Sequence, residues 1–137
     1  MINVLMKTQI KASVADVWAI VGDFSALPKF VEAAVTSNVD GEGVGSVRTI
    51  SLPDGNILKE RLEKLDSDAT TLKYSIVEGP LPVANYLSTM TIFSTEGGCQ
   101  LEWSSQFDAQ GLPEEDARNA IAGIYQMGFD GLSKIFK

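Results

Sequence analysis

Apolar and polar positions alternate from Ile2 to Ile10, with Ile2, Val4, Met6 and Ile10 sharing one side, which predicts an opening strand broken only by Leu5. The period then changes. Ser13 is suited to cap a helix whose apolar stripe is Val14, Val17, Trp18 and Val21, with Asp16 in its first turn and Gly22 at its end. Phe24 to Phe30 predicts a second short helical segment, re-aimed by Pro28. From there the helical signal lapses until Pro113. Val35 to Val39, Val44 to Leu52, Ile57 to Leu65, Thr70 to Val77, Tyr86 to Phe93 and Gln100 to Phe107 read as strands joined by short turns. Pro53-Asp54-Gly55 is a strong three-residue hairpin turn, with Gly55 suited to the left-handed position. The last element opens at Pro113 with three acidic residues at its positive end. Its broad apolar face includes Ile121, Ile124, Tyr125, Gly128, Phe129 and Leu132. A helix this apolar needs a large concave partner, and the sheet is the only one on offer. The expectation is α+β: a seven-stranded antiparallel sheet around a long C-terminal helix.

Strand parity then nominates interior residues. Counting outward from Pro53-Asp54-Gly55 pairs Ile50 with Leu58 and sets Arg48 opposite Glu60 on the same face. That pair reads either as a rim or partly wetted contact, or as a polar fixture inside an apolar pocket where an unpaired charge is expensive; a shifted register is the third reading. Leu72, Tyr74 and Ile76 point inward on one strand, and Leu101, Trp103, Ser105 and Phe107 on the last. For the strand between them periodicity leaves two choices: Tyr86, Ser88, Met90 and Ile92, or Leu87, Thr89, Thr91 and Phe93. Tyr125 and Phe129 approach from the final helix. Two tyrosines, two serines and an Arg/Glu pair among aromatics make a candidate ligand cavity, although each aromatic taken alone also reads as core.

Composition narrows the chemistry. The 137 residues fit one domain, spanning 1–137. There is no histidine, which removes Ser-His and Cys-His catalysis and imidazole metal sites. No acidic spacing resembles a calcium loop, so neither metal nor cofactor is expected. Cys99 is the sole cysteine and reads as structural. A net charge of −7, with basic residues spaced singly, argues against nucleic acid. No apolar run is long enough to insert stably in a membrane and no charged leader precedes an apolar core, so a cytoplasmic location is expected; oligomeric state stays open.

Gly45-Ser46-Val47-Arg48, Leu52-Pro53-Asp54-Gly55 and Glu60-Arg61-Leu62-Glu63-Lys64-Leu65-Asp66 together resemble the bacterial polyketide cyclase/dehydrase branch of the START/Bet v 1-like (SRPBCC) superfamily. Asn85-Tyr86-Leu87-Ser88-Thr89, Trp103-Ser104-Ser105-Gln106-Phe107-Asp108 and the helix from Gly123 to Leu132 extend the resemblance over essentially the whole chain. It implies a helix-grip fold, with two short helices after the first strand, and hydrophobic ligands such as lipids, sterols or polyketides. The chain also resembles, more distantly, the plant abscisic acid receptors: Arg48, Glu60, Tyr86 and Ser88 match positions in or near the receptors' ligand cavity. Glu32 stands where those receptors carry the lysine that meets the hormone carboxylate, and Pro53-Asp54-Gly55 and Pro80-Leu81-Pro82 replace their gate and latch. The function expected first is binding or carriage of a small hydrophobic or amphipathic molecule. The alternative is a cyclase-, dehydratase- or hydrolase-like enzyme using Glu60, Arg48 and tyrosine hydroxyls. A third is a non-catalytic interaction or regulatory domain. The expected ligand-binding set is Glu32, Arg48, Glu60, Tyr74, Tyr86, Ser88, Trp103, Ser105, Phe107, Tyr125 and Phe129.

Overall fold

Seven strands form one antiparallel sheet in a computed structural model that describes residues 1–137: β1 (Ile2–Ile10), β2 (Thr36–Asp40), β3 (Val47–Ser51), β4 (Ile57–Asp66), β5 (Thr71–Glu78), β6 (Val83–Thr95) and β7 (Gly98–Ala109). Their order is β1-β7-β6-β5-β4-β3-β2. Helix α1 (Val14–Val21) and a 3-10 turn (Leu27–Lys29) lie between β1 and β2, and α2 (Glu114–Ile135) closes the chain. The sheet curves around α2, and apolar residues from both meet in one core that includes Leu72, Leu101, Trp103, Ile121, Tyr125 and Leu132. This is the helix-grip fold. No helix is long and apolar enough to cross a membrane.

Local chemistry explains each boundary. Ser13 caps α1, its Oγ accepting from Asp16 N at 3.1 Å. Pro28 holds the following segment to a single 3-10 turn, shorter than the helical segment expected from Phe24 to Phe30. β3 begins at Val47, three residues later than alternation predicts, because Gly43 (φ 66°) and Gly45 (φ 94°) bend the chain before it. The Pro53-Asp54-Gly55 hairpin is as expected: Leu52 N donates to Asn56 O and Gly55 sits at φ 88°. Its register places Ile50 opposite Leu58 and Arg48 opposite Glu60.

β6 resolves the ambiguity left by periodicity. Tyr86, Ser88, Met90 and Ile92 are buried, while Leu87 and Phe93 are exposed. The strand starts earlier than expected, with Val83 also buried. An irregularity between Ala84 and Leu87, with Asn85 at φ 55°, switches the inward positions from odd to even. Tyr86 owes its inward aim to that extra residue.

Two glycines decide how deeply α2 sits. A β-carbon at Gly131 would lie 1.9 Å from the Phe30 carbonyl oxygen, and one at Gly128 would lie 2.6 Å from the Trp103 ring. The helix therefore touches the segment after the 3-10 turn backbone to backbone, with Ala33 N also donating to Met127 Sδ at 3.2 Å. Gly123 differs: a β-carbon there meets nothing within 4 Å. Gly131→Ala is expected to destabilise the fold by about 1–3 kcal/mol through overpacking. Gly123→Ala is expected to stabilise it by about 0.5–1 kcal/mol, because only helix propensity changes. Urea denaturation of both variants checks the pair; midpoint shifts of the same sign would contradict this account of helix depth.

Candidate functional site

Arg48 and Glu60 face each other across β3 and β4 and are both buried, at 4% and 5% exposure. Arg48 Nε donates to Glu60 Oε1 at 2.8 Å, and Nη2 lies 2.7 Å from the same oxygen. Nη1 donates to the Phe24 carbonyl at 3.2 Å. The guanidinium is covered by the Phe24 ring at 4.1 Å, and the Tyr74 ring centroid lies 4.9 Å from Cζ. Arg48 thus has its charge paired, its three nitrogens occupied and aromatic rings against it. Both contacts from Arg48 go to Oε1, and none is made to Glu60 Oε2. Burial pushes the Glu60 carboxyl above its usual range, opposed by the adjacent guanidinium.

Beside the ion pair lies a network of hydroxyls whose proton directions follow from counting. Ser88 Oγ donates its one hydrogen to the Ser104 carbonyl at 2.9 Å. It must therefore accept from Tyr125 at 3.0 Å, as it does from Trp103 Nε1 at 3.0 Å. With its hydrogen committed to Ser88, Tyr125 accepts from Tyr86, and Tyr86 accepts from Tyr74 over a long 3.5 Å. Trp103 Nε1 also reaches Tyr74 O at 3.2 Å. The chain of protons runs one way, from Tyr74 through Tyr86, Tyr125 and Ser88 to a backbone carbonyl. Trp103 stacks on Tyr125 with centroids 4.2 Å apart, and Phe107 packs on Tyr86 at 5.8 Å. Ser105 Oγ is buried near Tyr125 without a well-formed hydrogen bond.

A cavity of about 60 Å³ adjoins both features. Its wall includes Ile50, Leu58, Leu81 and Ile124, with Glu60 as the one charged residue, and Tyr74, Tyr86 and Trp103 at its aromatic side. Of the expected ligand-binding residues, these four line it. Arg48, Ser88, Ser105, Phe107, Tyr125 and Phe129 are buried but stand behind that wall. Phe129 packs on Trp103 at 6.2 Å. Glu32 is exposed and does not reach the cavity. Val31, Ala33 and Ala34 complete the wall beside it, and parity gave no sign of them because they lie outside any strand or helix. Ile124 is half-buried, short of the full burial that the apolar face of α2 suggested, because it faces the cavity. A larger depression of about 940 Å³ between the start of α1, the β4–β5 turn and the end of β6 is open to solvent and remote from this polar cluster.

The chain matches a family model described as polyketide cyclase/dehydrase and lipid transport over residues 1–137. Its fold superposes on the structure of the protein XoxI from Bacillus cereus with a TM-score of 0.93 and 33% identity, covering 99% of this chain and 96% of that one. MLP-like protein 423 from Arabidopsis thaliana is 29% identical over 114 residues, 75% of this chain and 74% of that protein. The abscisic acid receptor PYL6 from Arabidopsis thaliana is 33% identical over 93 residues, which span 64% of this chain and 43% of the receptor.

Two measurements probe the polar interior. Burial raises all three tyrosines of the chain, Tyr74 to about 12 and Tyr86 and Tyr125 well above their ordinary value. A raised phenol favours the fold below about pH 10 and loses that contribution as pH climbs through the folded value, by about 1.4 kcal/mol per pH unit for each tyrosine ionised only in the unfolded chain. Between pH 10 and about 12, stability should therefore fall steeply while native phenolate absorbance stays absent. The three phenols should then ionise together as the protein unfolds; independent titration of a native tyrosine near pH 10 would contradict the network. For the ion pair, Arg48→Met should destabilise by about 3–5 kcal/mol, and more than Arg48→Met/Glu60→Leu, which removes both charges. A double-mutant cycle in urea that shows no coupling would remove the buried-pair account.

Proposed function

The chain belongs to the polyketide cyclase/dehydrase and lipid transport family, and we propose that its cavity takes up a small, largely apolar molecule for binding or carriage. The fold and the family relationship support hydrophobic-ligand binding. The observation that carries the reading for this cavity is its wall: apolar and aromatic side chains with a single carboxylate, Glu60, among them. The core's stability does not call for the Arg48–Glu60 pair as a unit, since a buried ion pair is often matched or bettered by apolar residues of similar volume.

Ligand pockets usually measure about 300–1,000 Å³, so the 60 Å³ seen here must enlarge to admit more than a very small molecule. Leu81 and Tyr86 mark the route. Both line the inner cavity and also an outer depression of about 240 Å³ that Val83, Asn85 and Gln110 help to form. Leu81 is only half-buried, on the connection between β5 and β6. Displacing it joins the two spaces.

Native mass spectrometry of gently purified protein, with a screen of small aromatic and lipid-like molecules, tests the function. Retained or added ligand at one per chain is expected; no uptake of any compound, with the interior unchanged, would end this reading. Leu81→Ala should speed both uptake and release of a bound compound several-fold in stopped-flow measurements. Unchanged rates would move the entrance elsewhere.

A further inference from the structure

We propose that the ligand is a neutral apolar molecule carrying one hydroxyl, which donates its hydrogen to Glu60 Oε2 and accepts one from Tyr74. The inference rests on the reading of this cavity as the ligand site and names the chemistry of that ligand. It begins with which polar groups remain uncommitted. Arg48, the nearest cation, gives Nε and Nη2 to one oxygen of Glu60 and Nη1 to the Phe24 carbonyl, and it is not part of the cavity wall. An anionic group entering the cavity meets a carboxylate and no free cation. Glu32, which stands nearest in sequence to the wall residues Val31, Ala33 and Ala34, is a further acid, exposed at the surface.

The hydroxyl network offers little more to an acceptor. Ser88, Tyr125 and Tyr86 each use their one hydrogen on the next oxygen in the chain, which ends at the Ser104 carbonyl. The Tyr74 oxygen accepts from Trp103 Nε1 at 3.2 Å, and only its own hydrogen is loosely used, 3.5 Å from Tyr86. Among the polar residues of the cavity wall, the least committed atoms are therefore one strong acceptor, Glu60 Oε2, and one hydroxyl that can redirect its hydrogen. A ligand hydroxyl satisfies both at once, because it is donor and acceptor on a single atom.

Charge decides between a neutral and a cationic donor. Glu60 is already neutralised by Arg48 at 2.7 Å. An ammonium group beside them would leave one buried positive charge without a counter-charge, which is costly in an apolar wall. A neutral hydroxyl adds a hydrogen bond to a charged acceptor and no charge.

Four single-ring probes of similar size separate these cases: toluene, para-cresol, para-toluate and benzylammonium. Affinities come from titrations followed by the Trp103 indole N–H resonance, with the Trp18 resonance as an internal reference. Cresol is expected to bind about tenfold more tightly than toluene, as suits a hydrogen bond to a charged acceptor, and more tightly than either ion. In Glu60→Gln the gap between cresol and toluene should narrow, because the amide still bonds a hydroxyl but carries no charge, and toluate should gain from the Arg48 charge left unpaired. If that variant fails to fold, Arg48→Met/Glu60→Leu removes both charges together and should close the gap. Toluene equalling cresol in the wild type, or toluate binding most tightly, overturns the ligand assignment and leaves the cavity reading standing. If none of the four moves the Trp103 resonance, the cavity reading falls and this inference with it.

Discussion

The contact between α2 and the backbone at Phe30 governs the interior. Glycine at positions 128 and 131 lets the helix axis approach the Trp103 ring and a peptide carbonyl at distances no side chain allows. At that depth Tyr125 stacks on Trp103 and its hydroxyl reaches Ser88 on the sheet. The aromatic floor of the cavity is the product of a helix pressed flat. The space that remains lies where the segment after the 3-10 turn, the β3–β4 hairpin and α2 do not quite meet.

The polar groups inside this domain differ sharply in how much bonding capacity they retain. Arg48 is engaged through all three nitrogens and three hydroxyls are ordered head to tail, so each already has partners within the fold. Buried polar residues are often read as ligand contacts, yet burial obliges them to find partners first. What stays available after that requirement is a better guide to recognition than residue type. Here the remainder is one carboxylate oxygen and one loosely held phenol hydrogen.

Much of this was legible beforehand, for identifiable reasons. The three-residue turn at Pro53 fixes a count, and the count placed Arg48 opposite Glu60. Alternation exposed the strands because only one sheet face is buried, and the glycine-bearing apolar face of α2 announced a large partner. On β6 alternation left two choices because both faces of Tyr86–Phe93 carry apolar side chains, and the parity change at Asn85 hid the strand's earlier start at Val83. The cavity wall was only partly readable. Tyr74, Tyr86, Trp103 and Glu60 came from strand parity and resemblance, whereas Val31, Ala33 and Ala34 have no period to betray them. Phe107, Tyr125 and Phe129 point inward as parity and helical periodicity predict; distinguishing wall from packing behind it needs three-dimensional depth, which a one-dimensional pattern lacks. Glu32 stands at a ligand-contacting position only by the resemblance to the receptors, and here it is exposed and outside the cavity wall.

The order of the sheet also has a kinetic meaning. Strands β2 through β6 each pair with their successor, so hairpin closure assembles β2 to β7 from loops of a few residues. β1 is the exception: it pairs with β7 across the register from Ile2–Phe107 to Ile10–Cys99. The first strand of the sheet must wait for the last before it has a partner, and closing so long a loop is the entropically slow step. Until then Ile2, Val4 and Ile10 stay exposed on an unpaired segment, and the edge of β7 that will receive them stays open. An N-terminal strand with this placement acts as the final staple of the domain.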